Sequence, residues 1–307
     1  LANKQFGSSS AAIFAEDAAH EDLGACFVDL DNDGDQDLYV VSGGNEFDEN
    51  SELLQDRIYV NNGQGIYLKA INALPKMLSS GGTVVANDFD NDSDQDLFVG
   101  GRITPGKYPF APRSYLLRNN NGRFEDVTDE IAPELKNPGL ISSAIWSDFS
   151  GDGIKDLIVV GEWTGILMYK NENGKLVNVS KENGMESETG WWNKIEVADI
   201  DQDGDLDYIL GNLGLNYKYK ASKEEPFEVY AHDFDKNGTI DIVLGYYNDG
   251  TVFPVRGRQC SSEQMPMIAE KFKTYEEFGN ADLRDVYGDM LDEALHLEAN
   301  NFSSSIM

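Results

Sequence analysis

Positive charge is what this sequence of 307 residues has least of: 24 lysines and arginines stand against 55 acidic residues, a formal net charge of −31. So acidic a chain repels phosphate backbones and anionic lipid surfaces, which argues against nucleic acid as a partner. Apolar runs of bilayer-spanning length are missing too, so no direct membrane span is expected. Cysteine is scarce: Cys26 and Cys260 lie far apart, leaving a single disulfide open and saying little about redox compartment. The three histidines do not cluster in sequence, and the G-x-S-x-G, H-E-x-x-H and phosphate-loop patterns are all absent. Catalysis finds no foothold in these residues, and no enzyme is expected.

Aspartate, by contrast, is abundant and in register. The stretch "VDLDNDGDQDLYVV" sets Asp29, Asp31, Asp33, Asp35 and Asp37 directly before an apolar segment. Two like charges about 5 Å apart repel by about 3 kcal/mol at an effective dielectric of about 20, so such crowding calls for a counter-ion. The pattern returns as Asp88, Asp90, Asp92, Asp94 and Asp96, then as Asp148, Ser150, Asp152, Ile154 and Asp156. It recurs as Asp199, Asp201, Asp203, Asp205 and Asp207, and finally as Asp233, Asp235, Asn237, Thr239 and Asp241. Positions 1, 3, 5 and 9 of each loop carry an oxygen-bearing side chain, while positions 7 and 8 drift. A merely solvated acidic face would not keep that spacing.

All the implied ligands are oxygens, with a backbone carbonyl at position 7 (Asp35, Asp94, Ile154, Asp205, Thr239). That argues against zinc, copper or iron and for Ca²⁺, at about five sites. An EF-hand would need Glu at position 12 and flanking helices. Position 12 is instead Val40, Val99, Val159, Leu210 or Leu244, and the flanks ("ACFV", "TVVA", "LFVG", "LIVV") read as strands. Ser150 and Asn237 reduce ligand charge in loops three and five, which should be the weaker sites. Ser93 stands where the other loops have Gly, at a cost of about 1 kcal/mol if the backbone there is left-handed. Multi-site structural calcium suits millimolar conditions, so an extracellular or cell-envelope location is expected, outer-membrane-associated if the source is bacterial.

The loops begin at 29, 88, 148, 199 and 233. After each of the first three comes a hairpin with an Asn-Gly turn, "RIYVNNGQGIYLKA", "SYLLRNNNGRFEDVT" and "ILMYKNENGKLVNVS". Four antiparallel strands per repeat make a β-propeller blade. The expected organisation is an all-β propeller with an N-terminal lead-in over 1–22, five visible blades over 23–258 and a helical insertion over 259–300. In that insertion Leu283, Val286, Tyr287, Met290, Leu291 and Leu295 recur at helical spacing. Residues 301–307 read as the start of a further blade strand in a longer chain, and the short fourth interval implies an abbreviated fourth blade.

These repeats resemble FG-GAP/VCBS repeats, the calcium-binding blades of integrin α-subunit propellers. They resemble more closely the bacterial secreted VCBS proteins related to cartilage acidic protein, with ASPIC/UnbV-type regions. The particular marks are "DLDNDGDQDLYVVSGGNEF", "GEW", "GWWNKI", "GNLGLN" and "RGRQCSSEQMP". The resemblance implies a seven-bladed ring at a cell surface, in adhesion or surface assembly.

Strand order puts the calcium loops and Asn-Gly turns on one face and the irregular loops on the other. The second face collects Arg102, Tyr108, Phe110, Arg113, Glu162, Trp163, Trp191, Trp192, Asn193 and Asn212. Aromatic planes beside amides and charges suit a sugar ring or an extended peptide, whereas the same residues could simply pack blades together. The expected function is a calcium-stabilised binding or scaffolding propeller for a surface protein or glycan. The rival is a carbohydrate-active enzyme of the polysaccharide-lyase kind on the same scaffold.

Overall fold

Period-2 alternation with both faces apolar dictates the architecture of the computed structural model, which describes residues 12–307. After a short helix α1 (Ala12–Ala15), the first sheet is an antiparallel meander of β1 (Asp22–Val28), β2 (Asp37–Ser42), β3 (Arg57–Asn61) and β4 (Tyr67–Lys69). The second repeats it with β5 (Ser80–Asn87), β6 (Asp96–Ile103), β7 (Tyr115–Asn120) and β8 (Arg123–Asp126), followed by helix α2 (Thr128–Ile131). The third comprises β9 (Leu140–Ser147), β10 (Asp156–Thr164), β11 (Leu167–Glu172) and β12 (Lys175–Asn178), with β13 (Gly190–Trp191) added along the far end of β10. A fourth begins with β14 (Lys194–Ala198) and β15 (Asp207–Gly211).

Alternate side chains of each central strand face opposite neighbours. Leu97, Val99 and Leu117 of the second sheet pack on Tyr39, Val41 and Ile58 of the first. Phe98 and Leu116, one residue out of phase, pack on Trp146, Leu157, Val159 and Tyr169 of the third. Ile158, Val160 and Met168 then meet Trp192, Ile195, Tyr208 and Leu210 of the fourth. Central strands buried on both faces must be apolar throughout, which is why "LFVG" and "LIVV" show no polar alternation. Each such buried side chain contributes about 1.5–3 kcal/mol. The sheets stack face to face in chain order, as propeller blades do, and the described residues close no ring.

The fifth strand pair departs from this order. Strands β16 (Phe227–His232), β17 (Asp241–Asn248) and β18 (Thr251–Pro254) lead into four short helices, α3 (Arg258–Gln264), α4 (Met267–Lys271), α5 (Tyr275–Gly279) and α6 (Leu283–Tyr287). The chain returns as β19 (Leu295–Ala299), which pairs with β16 and gives the strand order β18-β17-β16-β19. It ends in β20 (Ser305–Ile306), which pairs not with this sheet but with β15, as the third strand of the fourth. Residues 212–304 are thus inserted between the second and third strands of the fourth sheet.

The fourth sheet has three strands among the described residues, and residues 212–304 interrupt it between its second and third. Two expectations are corrected. Residues 301–307 supply the third strand of that sheet instead of starting another. The expected amphipathic helix is broken: only Leu283–Tyr287 is α-helical, Gly288 with a φ of +64 stops it, and Leu295 begins strand β19. The helices bury Met265, Ile268, Phe278, Leu283 and Val286 against Phe234 and Val243 of the inserted sheet. Cys26 and Cys260 are both free thiols. Of the expected lead-in, residues 1–11 lie outside the described part.

Candidate metal centres and the loop face

Each acidic loop joins two antiparallel strands, β1 to β2, β5 to β6, β9 to β10, β14 to β15 and β16 to β17. Its shape follows from side chains that accept hydrogen bonds from the loop's own backbone. The carboxylate at position 1 accepts from the N–H at position 6 in all five loops: Gly34 to Asp29 at 3.0 Å, Ser93 to Asp88 at 2.9 Å, Gly153 to Asp148 at 2.8 Å, Gly204 to Asp199 at 3.2 Å and Gly238 to Asp233 at 2.8 Å. The side chain at position 5 (Asp33, Asp92, Asp152, Asp203, Asn237) accepts from the N–H at position 7, at 2.8 to 3.0 Å. Positions 4 and 6 are both left-handed. The first is occupied by Asn32, Asn91, Gly151, Gln202 or Lys236, and Ser93 at position 6 adopts a φ of +79.

Position 9 is the structural anchor. Asp37, Asp96, Asp156 and Asp241 are buried. One oxygen accepts from the loop backbone, as at Leu30 (2.9 Å), Phe89 (3.1 Å) and Phe234 (3.0 Å). The other accepts from the third strand, from the N–H of Asn61, Asn119 or Asn171 at 2.8 Å, and for Asp241 from Gln264 Nε2 at 3.0 Å. Burial pushes the Asp96 carboxyl up to about 7, and it raises Asp37, Asp156 and Asp241, with these hydrogen bonds opposing it. Asp31 is likewise raised, by burial first and then by its neighbours Asp37 and Asp33.

Four loops bring three carboxylates within 4.8 Å of one another: Asp29, Asp31 and Asp33; Asp88, Asp90 and Asp96; Asp199, Asp201 and Asp203; Asp233, Asp235 and Asp241. Buried oxygens of Asp29 (Oδ1), Asp31 (Oδ1) and Asp90 (Oδ1) have no hydrogen-bond partner. Orphaned carboxylate oxygens converging on one point are what a hard cation satisfies, so the residues present fit calcium in loops one and two, while loops four and five bring together a carboxylate triad without such orphaned oxygens. Loop three brings no such triad together among the described residues. Ser150 removes one charge, and Lys170 Nζ lies 3.2 Å from Asp152 Oδ2. The third loop thus brings the fewest carboxylates together, and the fifth assembles its triad from Asp233, Asp235 and Asp241 without Asn237.

Sequence reasoning missed the third-strand asparagines. Asn119 also donates from Nδ2 to Leu30 O (2.8 Å) in the preceding sheet's loop, and Asn171 donates to Phe89 O (2.8 Å) in the same way. Gly122 and Gly174, at the tips of the following turns, sit so close to Asp31 and Asp90 that an added Cβ would lie 3.5 and 3.3 Å from their Cβ atoms. The second and third hairpins therefore each clasp the acidic loop of the sheet before them. The signal was available, since Asn stands two residues before each Asn-Gly turn in the second and third hairpins and one before it in the first.

The opposite face is built otherwise than expected. Trp163 is only 4 % exposed, stacked 5.9 Å from Phe227 and edge-on to Trp191 at 5.1 Å. With Leu140, Val229, Ala299 and Phe302 these rings form the seam between the third sheet and the inserted one. Trp192 is fully buried in the core between sheets three and four. Asn212 is buried as well, its amide accepting from Trp191 N (3.0 Å) and donating to Asn301 O (2.8 Å). Trp163, Trp192 and Asn212 are thus buried and Trp191 is partly buried, all four packed at seams between sheets. Arg102 pairs with Glu162, which accepts from Tyr108 Oη (3.1 Å), and Tyr108 in turn accepts from Trp163 Nε1 (2.6 Å). Arg113 pairs with Asp126 at 2.7 Å and lies over the Tyr115 ring. Asn193 is exposed, with its backbone N–H tied to Gly211 O at 2.8 Å. A cleft between the first two sheets runs along Lys76, Ser79, Thr104, Pro112, Arg113 and Asn137.

Antiparallel sheets of three to five strands, each with an acidic loop between its first two strands, define a propeller-like repeat protein. Residues 29–99 and 148–210, the segments that hold the first four loops, match the family model described as FG-GAP-like repeat. The fifth loop, in the insertion, lies outside both matches. No curated protein matches the chain.

Proposed function

We propose that the chain is a calcium-stabilised binding or scaffolding propeller of the cell surface or envelope, presenting its loop face to a surface protein or glycan. The observation that carries this reading is the set of convergent carboxylates with orphaned oxygens at Asp29, Asp31 and Asp90. When bound, Ca²⁺ would supply charge neutralisation and oxygen coordination that the backbone N–H groups leave unfilled. The residues that would hold it are those at positions 1, 3, 5 and 9, with the position 7 carbonyl. The closer likeness to secreted VCBS proteins related to cartilage acidic protein belongs to the same proposal.

With the tryptophans committed to packing, the partner surface moves to the cleft of Thr104, Arg113 and Asn137 and the adjoining rim of Arg102, Tyr108 and Glu162. There planar and charged groups suit a peptide or sugar. Titration with calcium should raise the melting temperature, and a chelator should reverse it; each site filled at ten times its Kd adds about 1.4 kcal/mol. An unchanged melting temperature would sink the calcium reading. For the binding half, capture from a native cell envelope should succeed with calcium, fail with chelator, and fail for Arg113→Ala. Release of ultraviolet-absorbing unsaturated products from acidic glycans would favour the lyase reading instead.

A further inference from the structure

Glu228 is the only buried glutamate among the described residues, 3 % exposed, on the central strand β16. The hydroxyls of Tyr230 and Tyr247 donate to its two oxygens, each at 3.2 Å, which fixes the carboxylate without neutralising it. Among the described residues its one ion-pair partner is His296 Nε2, at 3.7 Å. Glu298 stands directly opposite Glu228 across the β16–β19 ladder, with Oε1 also 3.7 Å from that nitrogen. Like charges directly opposite in a sheet are destabilising, and burying one of them costs more. The His296 ring is held flat on Tyr230, centroids 4.2 Å apart and planes 4° from parallel. One imidazole nitrogen and two carboxylate oxygens, all within 4.8 Å, are thus held ready by stacked and hydroxyl-bearing neighbours.

This donor set differs in kind from the all-oxygen loops. Imidazole with carboxylate suits a borderline divalent ion such as Zn²⁺ better than Ca²⁺. We propose that Glu228, His296 and Glu298 form a zinc-class site that ties β19 to β16. The site stands apart from the acidic loops, and its consequence is mechanical. Strand β19 runs into residues 300–306, which dock on Thr189 and supply β20, so an ion here would fasten the insertion at the point where it returns to the fourth sheet.

The test is calorimetric titration of the whole chain with ZnCl₂ in saturating calcium, which takes the loops out of competition. One zinc site is expected. His296→Ala should weaken it about a hundredfold and Glu298→Gln, at a half-exposed position where folding is not at stake, about tenfold. Cobalt should report the same site by a visible absorption band that His296→Ala removes. No zinc binding by the wild-type chain, or binding that survives both substitutions, overturns the proposal and leaves the calcium reading untouched.

Discussion

Asp56 shows what burial does to one carboxyl group. It is fully enclosed, its oxygens accepting from Tyr39 Oη and Ser42 N, both at 2.7 Å. Burial pushes it up to about 7 against those hydrogen bonds and the nearby Arg57 charge. Between the unfolded value of 3.8 and about 7, the folded chain keeps a proton that the unfolded chain has lost, so this group's contribution to stability falls as pH rises through that window. Asp56→Asn removes the titration. The wild-type curve of unfolding free energy against pH, minus that of the variant, should slope downward from pH 4 to 7, as urea melts would show; a flat difference would refute the assignment. At the same scale, the left-handed backbone at position 4 of each loop was not legible. Asn, Gly, Gln and Lys all occupy it, so no residue preference betrayed the turn.

Among elements, strand–loop–strand units and Asn-Gly hairpins could be read directly, because both signals are local: apolar runs, turn residues and fixed acidic spacing. In the second and third hairpins both central turn residues are left-handed, as the tight turn demands (Asn121 +50, Gly122 +81; Asn173 +55, Gly174 +86). What could not be read is how one sheet grips the next, since that rests on side chains reaching across sheets. Asn119 joins three partners at once: Leu30 O in the first sheet, Gln95 O (3.1 Å) in its own, and the Gly122 N–H. Asn119→Ala should cost about 2–3 kcal/mol by leaving those buried groups unpaired, and it should weaken calcium binding at the first loop more than at the fourth. Thermal melts and site-resolved titration would check both; equal weakening at every loop would contradict the clasp.

Over the whole molecule the sequence left the tryptophans open between binding and packing, for a physical reason. Exposed-looking loops were covered by an insertion whose placement no local pattern announces. Turn signals mark where a chain reverses, not which distant strand it will pair with, so β20 joining β15 lay beyond sequence reasoning, as did the role of Trp163 and Trp191 in the seam. Trp163→Ala should cost about 3–5 kcal/mol and open the seam, bringing forward protease cleavage within 212–226 while the first three sheets stay resistant. Cleavage at the same rate as in the wild type would show that the insertion is held elsewhere. The interrupted fourth sheet also imposes an order on synthesis. While the ribosome is still making the insertion, the outer edge of β15 waits without its partner strand; at about 5–20 residues per second, that delay is on the order of ten seconds. During that interval Ile209 and the open backbone of β15 are available to any stray strand, so this nascent chain has its own window of vulnerability to mispairing.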